Sequence, residues 1–347
     1  MINSYKYLIS CHIMLHDYVI RFFEKIEHET GAFDDAFFDP DFYDIVKRHP
    51  KIIKTQLIAI YNIFKRLDQT TRTTICNQIK NSNNLELICS GGYIPVSLDN
   101  KVRGLKKLLR DFFLNLYDQV LDGDAFRNKF HTTLLEHFNK FRSLNKDLTL
   151  CPTCGIGELK MSKSKTRDQY DHFLPKSLYP FSSVNFENLI LCCKECNSFD
   201  VKGDNDTIAL STGRLFYPFD FSHKQLSISF GINTDNVKPE EILWNITYSS
   251  PDGKVDEIQS WRSIYDIDAR YSDFAKGRVE KWYRFYWEYL NDADMAHMPE
   301  EDRKLACLKA LELDEKLRLS FIRKPVLDGF LRDSVLARAQ IEASVYI

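Results

Sequence analysis

Cys151-Pro152-Thr153-Cys154 and Cys193-Lys194-Glu195-Cys196 frame the stretch on which the reading of this chain turns, with 38 residues between them. Two residues between cysteines let both thiolates and the intervening backbone wrap one side of a tetrahedral zinc ion. Two such knuckles supply four thiolates and leave no open position. The pattern therefore predicts a closed, structural zinc site at Cys151, Cys154, Cys193 and Cys196. Gly155 directly follows the first knuckle, as a tight turn there requires. Cys192 offers a competing register, but only Cys193 keeps the two-residue spacing, which leaves Cys192 as a packing residue. The chain has nine cysteines, an odd number, which argues against a disulfide framework. Cys11, Cys76, Cys89 and Cys307 lie in apolar surroundings and read as core thiols.

An ordinary zinc ribbon holds about 15–20 residues between its knuckles, so something is inserted here. The insert contains Asp168-Gln169-Tyr170-Asp171-His172-Phe173-Leu174-Pro175-Lys176-Ser177, then Asn185-Phe186-Glu187-Asn188-Leu189. Asn197 stands directly after the second knuckle. These residue types suit phosphodiester hydrolysis, which needs an activated water and a cation to neutralise charge on the phosphate and the leaving oxygen. A histidine with an ordinary pKa of about 6.5 has a neutral form that takes a proton from water. An aspartate is a hard oxygen ligand suited to Mg²⁺. Neighbours on a strand point to opposite sides, so Asp171 and His172 can serve metal and water separately. Each residue also has a plainer reading: His172 as a core histidine, Asp171 as a turn cap, Asn197 as the N-cap of a following helix.

The Asp-His-x-x-Pro element, the Asn-Leu element and the asparagine after the second knuckle, in that order inside a zinc pair, resemble the HNH (ββα-metal) endonuclease family. The likeness covers about 50 residues. It implies an Mg²⁺- or Mn²⁺-dependent endonuclease with water as nucleophile and 5′-phosphate products. By motif position it makes His172 the general base, Asp171 and Asn197 the ligands of the catalytic cation, and Asn188 a brace for the histidine loop. Many members of the family have a lysine three residues after the last asparagine; here Asp200 holds that position and Lys202 comes two later. HNH proteins of this size with large helical additions resemble nucleases of bacterial anti-phage defence that work beside an ATPase partner.

Outward from the insert the chain reads as helix. Leu8, Cys11, Leu15, Val19, Phe22 and Ile26 recur at steps of three and four, as do Ile53, Leu57, Ile60, Phe64 and Leu67, and Leu105, Leu108, Leu109, Phe112 and Leu116. Polar breaks at 30–40, 81–84 and 90–100 separate them. After the insert Leu226, Ile228, Phe230 and Ile232 alternate with polar residues as a half-buried strand does, and Trp244, Ile246 and Tyr248 predict a second strand. Helices resume near Gln259, with stripes at Trp282, Phe285, Tyr286 and Tyr289 and at Leu305, Leu308 and Leu311. The expected architecture is α+β and predominantly α-helical. A zinc-stabilised ββα-metal module at 150–206 is inserted between a helical region at 1–149 and a region of short strands then helices at 207–347.

Hydrophobic residues make up 44% of the 347 and charged residues 28%, an ordinary globular composition that excludes global disorder. Net charge is −2, so any nucleic-acid footprint must be local. Lys160, Lys163, Lys165 and Arg167 lead into the catalytic element, and Lys202 follows the second knuckle; these are the expected phosphate contacts. Arg103, Lys106, Lys107 and Arg110 form a second basic stripe. No base-reading motif appears, which points to weak sequence preference or to specificity from a partner. DNA is favoured over RNA as substrate. An even cut in both strands would need a homo-oligomer or a partner. No run of about 18 apolar residues and no secretory signal is present, so no membrane span and a cytoplasmic location are expected. The competing function is a non-catalytic zinc module that binds nucleic acid or protein.

Overall fold

The computed structural model describes residues 4–95, 104–160, 169–220, 226–232, 238–315 and 320–345. The chain divides into two compact units. One comprises residues 3–152 and 157–221; the other comprises 1–2, 153–156 and 222–347.

In the first unit, among the described residues, eight α-helices precede the insert: α1 (Ile13–Ile26), α2 (Pro40–Val46), α3 (Thr55–Phe64), α4 (Gln69–Asn81), α5 (Leu85–Cys89), α6 (Leu105–Asn115), α7 (Asp124–Phe130) and α8 (Leu134–Leu144). Aspartates start α2 and α4, where the side chains of Asp39 and Asp68 accept from exposed first-turn N–H groups. Thr133 and Glu136 close a capping box on α8. The predicted stripes become buried faces. Leu15, Val19, Phe22 and Ile26 are buried on α1, as are Leu57, Ile60 and Phe64 on α3 and Leu105, Leu109 and Phe112 on α6. Each fully buried side chain of this kind stabilises the fold by about 1.5–3 kcal/mol. α1 begins only at Ile13, so Leu8 and Cys11 precede it, and Cys11 is half-buried rather than a core thiol.

β1 (Tyr170–His172) and β2 (Leu189–Leu191) pair antiparallel in the register Tyr170–Leu191, Asp171–Ile190, His172–Leu189. They do not form a free-standing module: Phe181, Val184, Phe186 and Leu189 belong to the same apolar core as α1, α3 and α6. After the second knuckle the chain runs through turns from 194 to 204, where the resemblance implied a helix. Two short antiparallel strands thus stand where the resemblance implied a hairpin, and the helix it implied directly after them is not found among the described residues.

In the second unit β3 (Ser227–Ile232) and β4 (Trp244–Ser249) pair antiparallel, with Ile228, Phe230 and Ile232 opposite Tyr248, Ile246 and Trp244. The alternating pattern forecast both strands. Among the described residues six α-helices follow: α9 (Val255–Tyr265), α10 (Ile267–Lys276), α11 (Val279–Leu290), α12 (Glu300–Glu315), α13 (Ser320–Asp333) and α14 (Val335–Val345). α13 lies so close to β3 that a Cβ on Gly329 would sit 2.1 Å from the Phe230 carbonyl oxygen. The buried face of α11 carries Val279, Tyr283 and Tyr286, while Phe285 is exposed. On α12 Cys307 is buried and Leu305 exposed. Both apolar stripes were legible, but their faces were rotated from the expected ones. No described helix is long and apolar enough to cross a membrane.

Candidate metal and catalytic centre

Cys151, Cys154, Cys193 and Cys196 are all buried, and their sulfur atoms lie within 4.8 Å of one another. Cys151 Sγ and Cys196 Sγ are 3.9 Å apart, near the roughly 3.8 Å edge of a tetrahedron with Zn–S bonds of about 2.3 Å. The backbone is shaped around the cluster. Gly155 adopts φ 70°, a left-handed conformation that favours glycine. A Cβ on Gly157 would lie 2.5 Å from Cys193 Sγ. The Cys151 N–H donates to the Gly157 carbonyl at 2.7 Å, and the Cys193 N–H donates to Cys151 Sγ at 3.3 Å. Trp261 Nε1 donates to the Thr153 carbonyl at 2.6 Å, and the Tyr271 hydroxyl to the Cys154 carbonyl at 2.7 Å. Four soft donors in this arrangement can bind a metal ion such as zinc. Cys192 is buried and outside the group, as its register required.

His172 ends β1 and is almost wholly buried. Its Nε2 lies 2.9 Å from the Ser183 carbonyl. A carbonyl only accepts, so Nε2 carries the hydrogen and Nδ1 the lone pair. Ser183 is itself anchored, its hydroxyl donating to the Phe113 carbonyl of α6 at 2.7 Å. The Tyr117 ring, just beyond α6, meets the imidazole edge-on at 4.5 Å between centroids. Burial pushes the His172 pKa down to about 3; the Ser183 carbonyl opposes this, while Lys176 and Lys202 reinforce it. The ring is therefore neutral at ordinary pH.

Asn188 is fully buried and braces the chain after the histidine. Its Oδ1 accepts from Leu174 N–H at 2.7 Å, and its Nδ2 donates to the carbonyls of Leu174 at 3.0 Å and Ser182 at 3.2 Å. The Asn188 backbone carbonyl takes the Phe173 N–H at 2.8 Å. One amide side chain thus ties the loop after His172 to the 3₁₀ turn Pro180–Ser182 that precedes Ser183.

Asp171 is also buried, and its Oδ1 accepts from Lys202 Nζ at 2.9 Å. Its Oδ2 is buried and receives no N–H or O–H bond. Burial raises the carboxyl pKa; Lys202 first, and then the weakly donating Cys192 thiol, work against that. Lys202, expected as a surface phosphate contact, is 0% exposed. The correction has a simple cause: its ammonium is enclosed by oxygen atoms and has no surface to offer. No protein-family model, curated protein or solved structure matches this chain.

The remaining expected residues are less closely joined. Asn197 is half-buried, and its N–H donates to the Cys193 carbonyl at 3.1 Å. Among the described residues its side chain makes no hydrogen bond to Asp171 or His172, and no helix follows for it to cap. Lys160 is exposed. Lys163, Lys165, Arg167 and Arg103 lie outside the described residues. On α6, Lys107 pairs with Asp111. Sequence reasoning missed Tyr117 and Ser183, since neither stands in a motif and both reach His172 only through the fold of distant segments.

Proposed function

We propose that the chain is a metal-dependent endonuclease that hydrolyses nucleic-acid phosphodiester bonds, DNA foremost, with His172 as general base. The observation that carries this reading is the state of the imidazole. The Ser183 carbonyl fixes the hydrogen on Nε2, and burial keeps the ring neutral, so Nδ1 is a lone pair ready to take a proton from water. Asn188 holds the loop beside it, and the Tyr117 edge limits rotation of the ring. A histidine serving only as core filler needs no such arrangement of tautomer and brace.

Zinc at the four cysteines would be structural, since four thiolates leave no position for water. A catalytic Mg²⁺, or Mn²⁺ in its place, would be held by Asp171 and Asn197, whose oxygens are hard donors, and Asp171 Oδ2 is a buried acceptor without an N–H or O–H donor. When bound, the cation supplies charge neutralisation at the phosphate and the leaving oxygen. Phosphate contacts at Lys160, Lys163, Lys165 and Arg167 rest on local charge, work beside an ATPase in anti-phage defence rests on the resemblance, and a homo-oligomeric state rests on the need to cut both strands.

The runner-up is a zinc module that binds nucleic acid or protein without cutting it. The turns at 194–204 and the engagement of Asp171 by Lys202 favour it. Cleavage of supercoiled plasmid, linear DNA and RNA with Mg²⁺ or EDTA separates the two. The expected result is Mg²⁺-dependent cleavage that His172→Ala reduces by about 10²–10⁴-fold, with zinc content retained. With a folded-state pKa near 3, His172 itself imposes no loss of activity between pH 7 and pH 5.5. Full activity in the variant would remove His172 as the base. Retention of nucleic acid at low salt without cleavage would establish the binding module.

A further inference from the structure

Lys202 Nζ donates to Asp171 Oδ1 at 2.9 Å, to the His172 carbonyl at 2.7 Å and to the Gly203 carbonyl at 3.2 Å. An ammonium has three N–H donors, and all three are used. A lysine so enclosed costs heavily in lost hydration, whereas the same residue on the surface would cost nothing. One carboxylate and two carbonyls are also the hard oxygen set that a divalent cation takes. The turn that delivers the lysine is tight. Lys202 N–H reaches back to the Cys196 carbonyl at 3.4 Å, and Gly203 has φ +39°, where a Cβ would meet the Phe199 Cα at 2.8 Å. The lysine thus reaches Asp171 from a backbone that leaves the second cysteine knuckle.

The geometry points to Lys202 as a built-in cation that occupies the Asp171 carboxylate and gates the entry of a divalent metal there. This rests on the reading of Asp171 as a ligand of the catalytic cation. The ammonium holds Oδ1 while Oδ2 takes no N–H or O–H donor, so a metal on Oδ2 would share one buried carboxylate with the ammonium, and two cations that close repel each other. Metal binding at Asp171 is therefore linked to withdrawal of Nζ and to loosening of the turn at 196–203. The lysine acts as a positioning residue. With it in place, Asp171 is held against the His172 backbone; with it displaced, the carboxylate is released to the metal.

The test is Mn²⁺ binding to the zinc-loaded full chain, followed by calorimetry and by the manganese electron paramagnetic resonance signal. Lys202→Met keeps an unbranched side chain only one atom shorter and removes the charge. It is expected to bind Mn²⁺ on the order of tenfold more tightly than the unsubstituted chain, through a site that Asp171→Asn combined with Lys202→Met lacks. A second measurement needs no variant. Hydrogen exchange of the peptides spanning 196–205 in the unsubstituted chain is expected to rise at Mn²⁺ concentrations that fill the site. Equal affinity with and without the ammonium, no Asp171-dependent site in Lys202→Met, or unchanged exchange at saturating Mn²⁺ would each overturn the gate. Absence of cleavage alongside the expected Mn²⁺ linkage would count against the nuclease reading alone. Cleavage with equal affinities would count against the gate alone.

Discussion

The four cysteines and the Asp171–His172–Lys202 group come from the same short stretch, yet they treat buried charge in opposite ways. The cysteine cluster gathers four soft donors of one kind within 4.8 Å, and any cation they hold must come from outside. Beside it, Asp171 brings a hard carboxylate into the interior, and the chain supplies the cation itself through Lys202. In the first cluster the backbone has been cut back to make room, as Gly157 shows. In the second, the space is filled. The contrast teaches that a motif list identifies donor atoms but not whether they are available. The cysteines can meet an ion as they stand, whereas one oxygen of Asp171 is already held by an ammonium.

Removing one cysteine is the hardest test of this contrast. Cys154→Ser should lose zinc and cost about 4 kcal/mol or more, because metal binding and local folding form one equilibrium. Zinc content by elemental analysis and a thermal melt would measure both. A variant with full zinc and an unchanged melt would mean that the cluster is only a set of packed thiols. Next in size is Asn188→Ala, which strips the buried N–H and carbonyl of Leu174 of their partner. A loss of about 3 kcal/mol is expected in urea unfolding, with zinc retained. If zinc left together with the brace, the two clusters would be one unit and the comparison would fail. The smallest effect is expected for Gly157→Ala, whose added methyl presses on Cys193 Sγ. Overpacking of this kind costs about 1–3 kcal/mol. Here it should appear as faster zinc release to a chelator, with unfolding of the Asn188 region unchanged.

Much of the site was legible because its chemistry is written locally. The spacing of two residues in each knuckle already brings paired thiols to one ion, and Cys193 was separable from Cys192 on spacing alone. Asp171 and His172 were adjacent in the chain and so were bound to share a strand. Asn188 was expected as a brace, and its side-chain bonds to Leu174 and Ser182 have that form. Lys202 was misread, because an isolated lysine in a polar run looks like any solvated side chain. Its burial depends on a turn that carries it from position 202 to β1, and no periodicity announces such a return. The helix implied after Cys196 was replaced by turns: Val201 N–H returns to the Ser198 carbonyl and Lys202 N–H to the Cys196 carbonyl, steps of three and six residues rather than the repeated four of an α-helix.

The helical character of both flanks, the β3–β4 hairpin, the composition of the cysteine cluster and the histidine with its aspartate could all be read from the residues in order. All of these follow from hydrophobic period or from ligand spacing, which are properties of neighbours along the chain. Only the tertiary structure decided which nitrogen of His172 keeps its hydrogen, because the deciding group is the Ser183 carbonyl and the wall is Tyr117. Only the tertiary structure decided that Asp171 is ion-paired and that the hairpin shares its core with α1, α3 and α6. Those outcomes depend on contacts between distant segments, whose gain in burial and hydrogen bonding must exceed the entropy of bringing them together, and no local pattern records that balance.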